Sequence, residues 1–192
     1  MFREWRMSRH LQRAGVAAPV VMGYAMLGQG ERPYTEAMIS QDLGELTSGP
    51  DRIKALLEEG RSAELARFES QLIELTVLMI DNGVLDPDHS VANVALTENG
   101  QLIRLDFELA RSVLWPALHH KLLGLMLGRL VISYAFVIQP DMARAEQFGS
   151  RLAERVGASP RILAHARKFI ENRLARAASR DNIHLKFNLW QT

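Results

Sequence analysis

Leu85-Asp-Pro-Asp88-His-Ser-Val-Ala-Asn93-Val-Ala-Leu96, followed shortly by Gly100-Gln-Leu-Ile-Arg-Leu-Asp106-Phe107-Glu108, is the stretch that decides the fold. Asp88 and Asn93 are five positions apart, and Asp106 lies thirteen beyond Asn93. Val91 to Leu96 and Gln101 to Phe107 read as two short strands, and Thr97-Glu-Asn-Gly100 between them is a hairpin signal. A loop carboxylate, an amide leading into one strand and a carboxylate leaving its partner would then meet at one end of the hairpin.

Such a grouping suits phosphoryl transfer. Magnesium takes hard oxygen ligands, usually one or two from protein with phosphate and water supplying the rest. Asp106 and Asn93 offer such oxygens. Asp88 is then left to accept the proton of an attacking hydroxyl, while bound metal offsets charge on the transferring group.

Outward from this stretch, Glu64 to Ile80 predicts an amphipathic helix, with Leu65, Phe68, Leu72, Leu75 and Met79 at spacings of three and four and Asn82-Gly83 as its stop. Residues 51–59 predict a shorter helical piece. Residues 2–14 read as a helix stopped by Gly15, and 17–27 as extended chain that Pro19 keeps from helix. Gly28-Gln-Gly-Glu-Arg-Pro is a turn leading to a second strand, Tyr34 to Ser40, so a small hairpin is expected. Beyond Pro116 the chain predicts three helices over 118–138, 141–156 and 160–178, with Pro140 and Pro160 as breaks. The stretch from Leu122 to Ile138 is apolar on nearly all sides, so protein or lipid must surround it. Arg129 near its middle disfavours lipid by roughly 2.5–3.5 kcal/mol on insertion scales.

The order helix, Asp-x-x-x-x-Asn, hairpin, apolar-Asp-Phe is similar to the catalytic and magnesium loops of protein kinases. Asp106-Phe107-Glu108 looks more like the bacterial kinase-like families, and among these the chain resembles the Kdo and heptose lipopolysaccharide kinases. The resemblance implies an α+β, mostly helical fold: a kinase-like C-terminal lobe over 49–192, with a partial small lobe over 1–48. It implies Asp88 as catalytic aspartate, Asn93 and Asp106 as magnesium ligands, and ATP with magnesium as cofactors. Arg3-Glu-Trp-Arg6 onward is similar to the small-lobe helix, with Glu4 in the place of its glutamate. Tyr34 to Ser40 looks like the strand entering the adenine hinge, so Glu36 and Met38 are expected to contact nucleotide. The implied acceptor is a sugar hydroxyl, as in lipopolysaccharide core, and the implied location is the cytoplasm or the inner-membrane periphery.

The sequence departs from that pattern at three places. No glycine-rich hairpin or strand lysine precedes the first helix, and Lys54 is the first lysine in the chain, so Glu4 lacks its usual partner. Asp86-Pro87 replaces the usual pair before the aspartate, and Glu108 stands where glycine is common. A truncated kinase, or a pseudokinase acting as a regulatory binding module, is the alternative expectation. Read without the resemblance, Asp88 is a turn residue and Asp86 a rival acid. Glu4 is then a solvated helix-face carboxylate and His89 a loop residue. Adjacent histidines do not share a helix face, so His119 and His120 read as surface residues rather than metal ligands.

Composition narrows the rest. With 23 Lys and Arg against 22 Asp and Glu, the net charge of +1 gives no electrostatic argument for nucleic acid. The absence of cysteine excludes disulfides, zinc-thiolate sites and thiol nucleophiles. Met1 to Arg6 does not begin an apolar run of signal-peptide form, and a cytoplasmic protein is the expectation. The arginines of 151–180 read as a solvated helix face, with contact to anionic lipid as the second reading.

Overall fold

The computed structural model describes residues 2–27, 35–181, 185, 189 and 190. Helix α1 (Phe2–Arg13) buries Met7 and Leu11 and ends at Gly15, whose φ of 74° lets Val16 N–H reach back to the Leu11 carbonyl at 2.9 Å. Strands β1 (Val21–Leu27) and β2 (Thr35–Ser40) form the expected antiparallel hairpin, with Tyr24 opposite Met38. The intervening turn at 28–33 lies outside the described residues.

Strand β3 (Leu46–Ser48), which the sequence pattern did not reveal, leads directly into α2 (Gly49–Glu58). Ser48 Oγ caps this helix by accepting from Asp51 N–H at 3.2 Å, and Pro50 sits in its first turn, where its missing donor costs nothing. Helix α3 (Ser62–Asp81) buries all five predicted apolar positions. It also buries Glu69 and Thr76, which helical spacing sets on the same face although their polarity argues for solvent.

Strand β4 (Val84–Leu85) opens the decisive stretch, and β5 (Val94–Thr97) with β6 (Leu102–Arg104) forms its hairpin, Val94 opposite Arg104. The strands are shorter than predicted at the end that matters. Val91–Asn93 is a single 3-10 turn, and the partner strand is interrupted at Asp106, whose φ is 55°. Left-handed backbone cannot continue a ladder. β3 pairs with β5 to complete a three-stranded sheet, and β4 pairs with β7 (Arg111–Ser112).

The predicted helices follow as α4 (His120–Ile138), α5 (Met142–Val156) and α6 (Pro160–Asp181). α4 is long and apolar enough to cross a membrane, yet 61% of its apolar window is buried inside the protein. Its neighbour α6 lies close because Gly124 and Gly128 carry no side chain. A Cβ at 124 would stand 2.5 Å from His165 Cβ, and one at 128 would stand 2.8 Å from the Ala166 carbonyl oxygen. Tyr134 of α4 stacks on Phe148 of α5 with ring centroids 4.5 Å apart.

Glu69 ties three helices together. Tyr134 Oη and Arg144 Nε donate to its Oε1, the latter at 2.5 Å, and Arg151 donates to Oε2. Arg155 pairs with Glu74 at 3.0 Å, and Arg167 Nη1 donates to the Trp190 carbonyl at 3.2 Å. The arginines after 150 are thus partly clamps between elements, not only the solvated face expected from sequence. The fold as a whole is α+β and mostly helical, as expected.

Candidate active site

The 3-10 turn before β5 exists because Asn93 folds back on its own loop. Its Nδ2 donates to the Asp88 carbonyl at 3.0 Å and to Asp88 Oδ2 at 3.2 Å. Five residues is the separation that lets one amide close this loop. The Asn93 carbonyl in turn accepts from Leu105 N–H at 2.8 Å and from Arg104 Nη1 at 2.9 Å. Loop and hairpin are thereby fixed to each other at the residue before Asp106.

Asp88 Oδ1 pairs with Arg129 Nη2 at 2.8 Å. Arg129 comes from the middle of α4, where sequence reasoning used it only as an argument against lipid. A lone arginine in an otherwise apolar helix was the signal. The arrangement gives Asp88 a cation on one oxygen and an amide on the other, with lone pairs left on both.

Beneath the loop lies an ion pair sealed from water. Asp86 Oδ2 accepts from Arg104 Nη2, and these side chains are 1% and 0% exposed. Asp86 Oδ1 accepts the Asp88 N–H at 2.9 Å. Burial pushes the Asp86 carboxyl up and the Arg104 guanidinium down, in each case more than the attraction between them pulls back. Two independent directions therefore agree that desolvation outweighs pairing here. The role of the pair is placement: Arg104 also stacks 5.4 Å from the Phe107 ring, and its backbone N–H holds the Ala17 carbonyl at 2.9 Å. Asp86 is thus a buried anchor and not the rival acid considered from sequence.

Asp106 is exposed, and its Oδ1 accepts Glu108 N–H at 3.1 Å. This closes a tight turn and accounts for the positive φ at a non-glycine residue. Asp86, Asp106 and Asp88 all lie within electrostatic reach of the Arg104 guanidinium. Glu4 is not the solvated carboxylate expected from sequence. It is half-buried, and its carboxyl is pushed up by burial and then by Asp106.

His89 is also no ordinary loop residue, since it is fully buried. Thr76 Oγ1 donates to the Leu72 carbonyl at 2.7 Å, so it must accept from His89 Nε2–H at 2.9 Å. That places the proton on Nε2 and leaves Nδ1 as an unpartnered acceptor. Burial, then Arg104, holds the ring well below the ordinary histidine range.

The structure thus brings Asp88, Asn93 and Asp106 to one end of the hairpin. Met38 is half-buried on the separate β1–β2 sheet, and the Glu36 side chain lies outside the described residues. Among the described residues no three His, Asp or Glu side chains are grouped to hold a metal by themselves. Magnesium does not require such a group. With Asn93 Nδ2 committed to Asp88 and Asp106 Oδ1 to Glu108, one amide oxygen and one carboxylate oxygen remain to serve as ligands. The donor set fits a cation that phosphate and water would complete.

Comparison with protein-family models and with curated proteins finds no match. Among solved structures the chain is similar to WaaP in complex with acyl carrier protein, at 18% identity and a TM-score of 0.66, covering 88% of this chain and 75% of that one. At this identity the likeness shows the architecture alone, a kinase-like fold.

Proposed function

We propose that this chain is the large lobe of an ATP- and magnesium-dependent phosphotransferase acting on a hydroxyl, with a sugar of lipopolysaccharide-core type as acceptor. The observation that carries the reading is the loop closed by Asn93 on Asp88 and tied through the Asn93 carbonyl to the residue before Asp106. The kinase-like fold supports it.

Asn93 and Asp106 would hold magnesium, whose contribution is to neutralise charge on the phosphoryl group being transferred. Asp88 accepts the proton of the attacking hydroxyl on a free lone pair. Arg129 fixes the direction of that carboxylate and sets a positive charge beside the place where the phosphoryl group arrives. Asp86 holds the Asp88 amide, so the base is positioned from below by groups that water does not reach.

A second reading has its own observation. Glu4 lies half-buried beside Asp106, and burial and then that carboxylate push its own carboxyl up. A binding module without transfer would show this arrangement.

Calorimetry with ATP separates the two, using the chain both as it stands and extended through any in-frame upstream codons. Magnesium-dependent binding abolished by Asp106→Ala is expected. Asp88→Ala should keep that binding and lower transfer by roughly 10²–10⁴-fold. Binding without transfer to any hydroxyl acceptor would favour the second reading. No binding by either form would remove both nucleotide-based readings.

A further inference from the structure

Between Glu108 and Asp141 the chain contains no acidic residue. The first part of this stretch leaves the Asp106 turn and displays its apolar side chains to solvent. Leu109 is 51% exposed, Leu114 87%, Trp115 67% and Leu118 69%. The other large exposed hydrophobics are scattered over β1, β2, α2 and their flanks.

Their exposure is not the fraying of a loose loop. Arg111 and Ser112 pair with Leu85 and Val84, and Val113 N–H donates to the Gly83 carbonyl at 2.7 Å. Pro116–Leu118 is a 3-10 turn, and Leu123 N–H caps back to the His119 carbonyl at 2.9 Å. The segment is therefore held at both ends with leucines and a tryptophan outward. Fixed outward apolar groups call for a partner.

Charge says which. Arg111, His119, His120 and Lys121 flank the apolar tip. With His165 of α6 they line a groove of about 610 Å³ that reaches Pro87, the residue before Asp88. Arg111 also borders a second groove of about 650 Å³, lined by Arg6, Arg9 and Arg13 of α1. Among the described residues neither groove has an acidic one in its lining. A tryptophan and leucines that enter the interface, framed by cations at headgroup level, match an anionic bilayer.

We infer that residues 109–121 dock this protein on an anionic membrane surface, with Leu114, Trp115 and Leu118 entering the interface and Arg111 and Lys121 meeting lipid phosphates. Docking puts the mouth of the Pro87 groove at headgroup depth. An acceptor carried by a lipid would reach Asp88 without leaving the membrane. The docking stands apart from the phosphotransferase reading, whereas its delivery of an acceptor rests on it.

The test is vesicle flotation of the full chain without nucleotide, so failure of the kinase reading leaves the result intact. Vesicles of phosphatidylcholine alone are compared with vesicles containing about 30% phosphatidylglycerol, the latter expected to bind at least about tenfold more tightly. Leu114→Ser with Trp115→Ser should lower that binding about tenfold or more at unchanged melting temperature, since both side chains are exposed. Arg111→Gln with Lys121→Gln should weaken it and flatten its salt dependence. No preference for anionic vesicles would overturn the inference. So would loss on Arg176→Gln with Arg180→Gln in place of the 109–121 variants, which would assign binding to α6. Conversion of a dimer to a monomer by the Leu114 and Trp115 changes would assign the patch to a second copy instead.

Discussion

Asp86 and Glu69 are both 1% exposed, and both are answered by arginine, but their arginines sit differently. The partner of Asp86 is Arg104, itself fully buried, with Nε left unbonded. The partners of Glu69 are Arg144 and Arg151, whose side chains are 20% and 43% exposed, together with the Tyr134 hydroxyl. A guanidinium at the surface can turn to water when its carboxylate is lost, whereas a sealed one cannot. The energetic weight of a buried acid is thus set by where its counter-ion can go.

The largest effect should follow from Asp86→Ala. It strands Arg104 in the interior and should cost about 3–5 kcal/mol, read as a lowered urea midpoint. Asp86→Leu with Arg104→Met tests the same point from the other side. The double variant should regain most of the loss, to within about 1–2 kcal/mol of the parent. It should nevertheless lose function, because the Asp88 amide no longer has its acceptor. Glu69→Ala should cost less, about 2–3 kcal/mol, mainly from the unpaired Tyr134 hydroxyl and the loosened α3–α5 contact. If it costs as much as Asp86→Ala, the escape of Arg144 and Arg151 to solvent is not what separates the two sites.

Histidine 89 sharpens the comparison through pH. Its folded pKa is depressed, so the unfolded chain binds the proton first as pH falls. Stability is therefore full above the ordinary value of about 6.5 and declines below it, by up to about 1.4 kcal/mol per pH unit for this one proton. His89→Asn should flatten that slope in denaturant titrations between about pH 5 and 6.5. A slope unchanged by the substitution would show that another group carries it. At the small end, Arg155→Ala removes an exposed pair with Glu74 and should leave the midpoint unchanged within error.

Much of this architecture could be read from local pattern. The apolar spacing of α3, the stop at Asn82-Gly83 and the turn at Thr97–Gly100 are short-range features, and each appears where expected. The five-residue interval from Asp88 to Asn93 was legible for the same reason, since one side chain closes it. What escaped reading was long-range. Asp86 meets Arg104 across eighteen positions, and Glu69 meets Arg151 across eighty-two. No periodicity encodes either. A hint existed in Leu102-Ile-Arg104-Leu, where a charge interrupts an apolar strand and so must be paired if it points inward. Arg129 gave a similar hint inside α4. Strand β3 was missed because three residues carry too little alternation to stand out.

The bare backbone at Gly124 reaches further than helix packing. Since His165 comes to rest against that position, the last long helix supplies one side of the groove that opens beside Pro87. Residues after 139, which carry no motif of their own, thus help set the width of the groove beside Pro87. A methyl group placed at 124 would act as a spacer, shifting that wall without altering any residue that lines it.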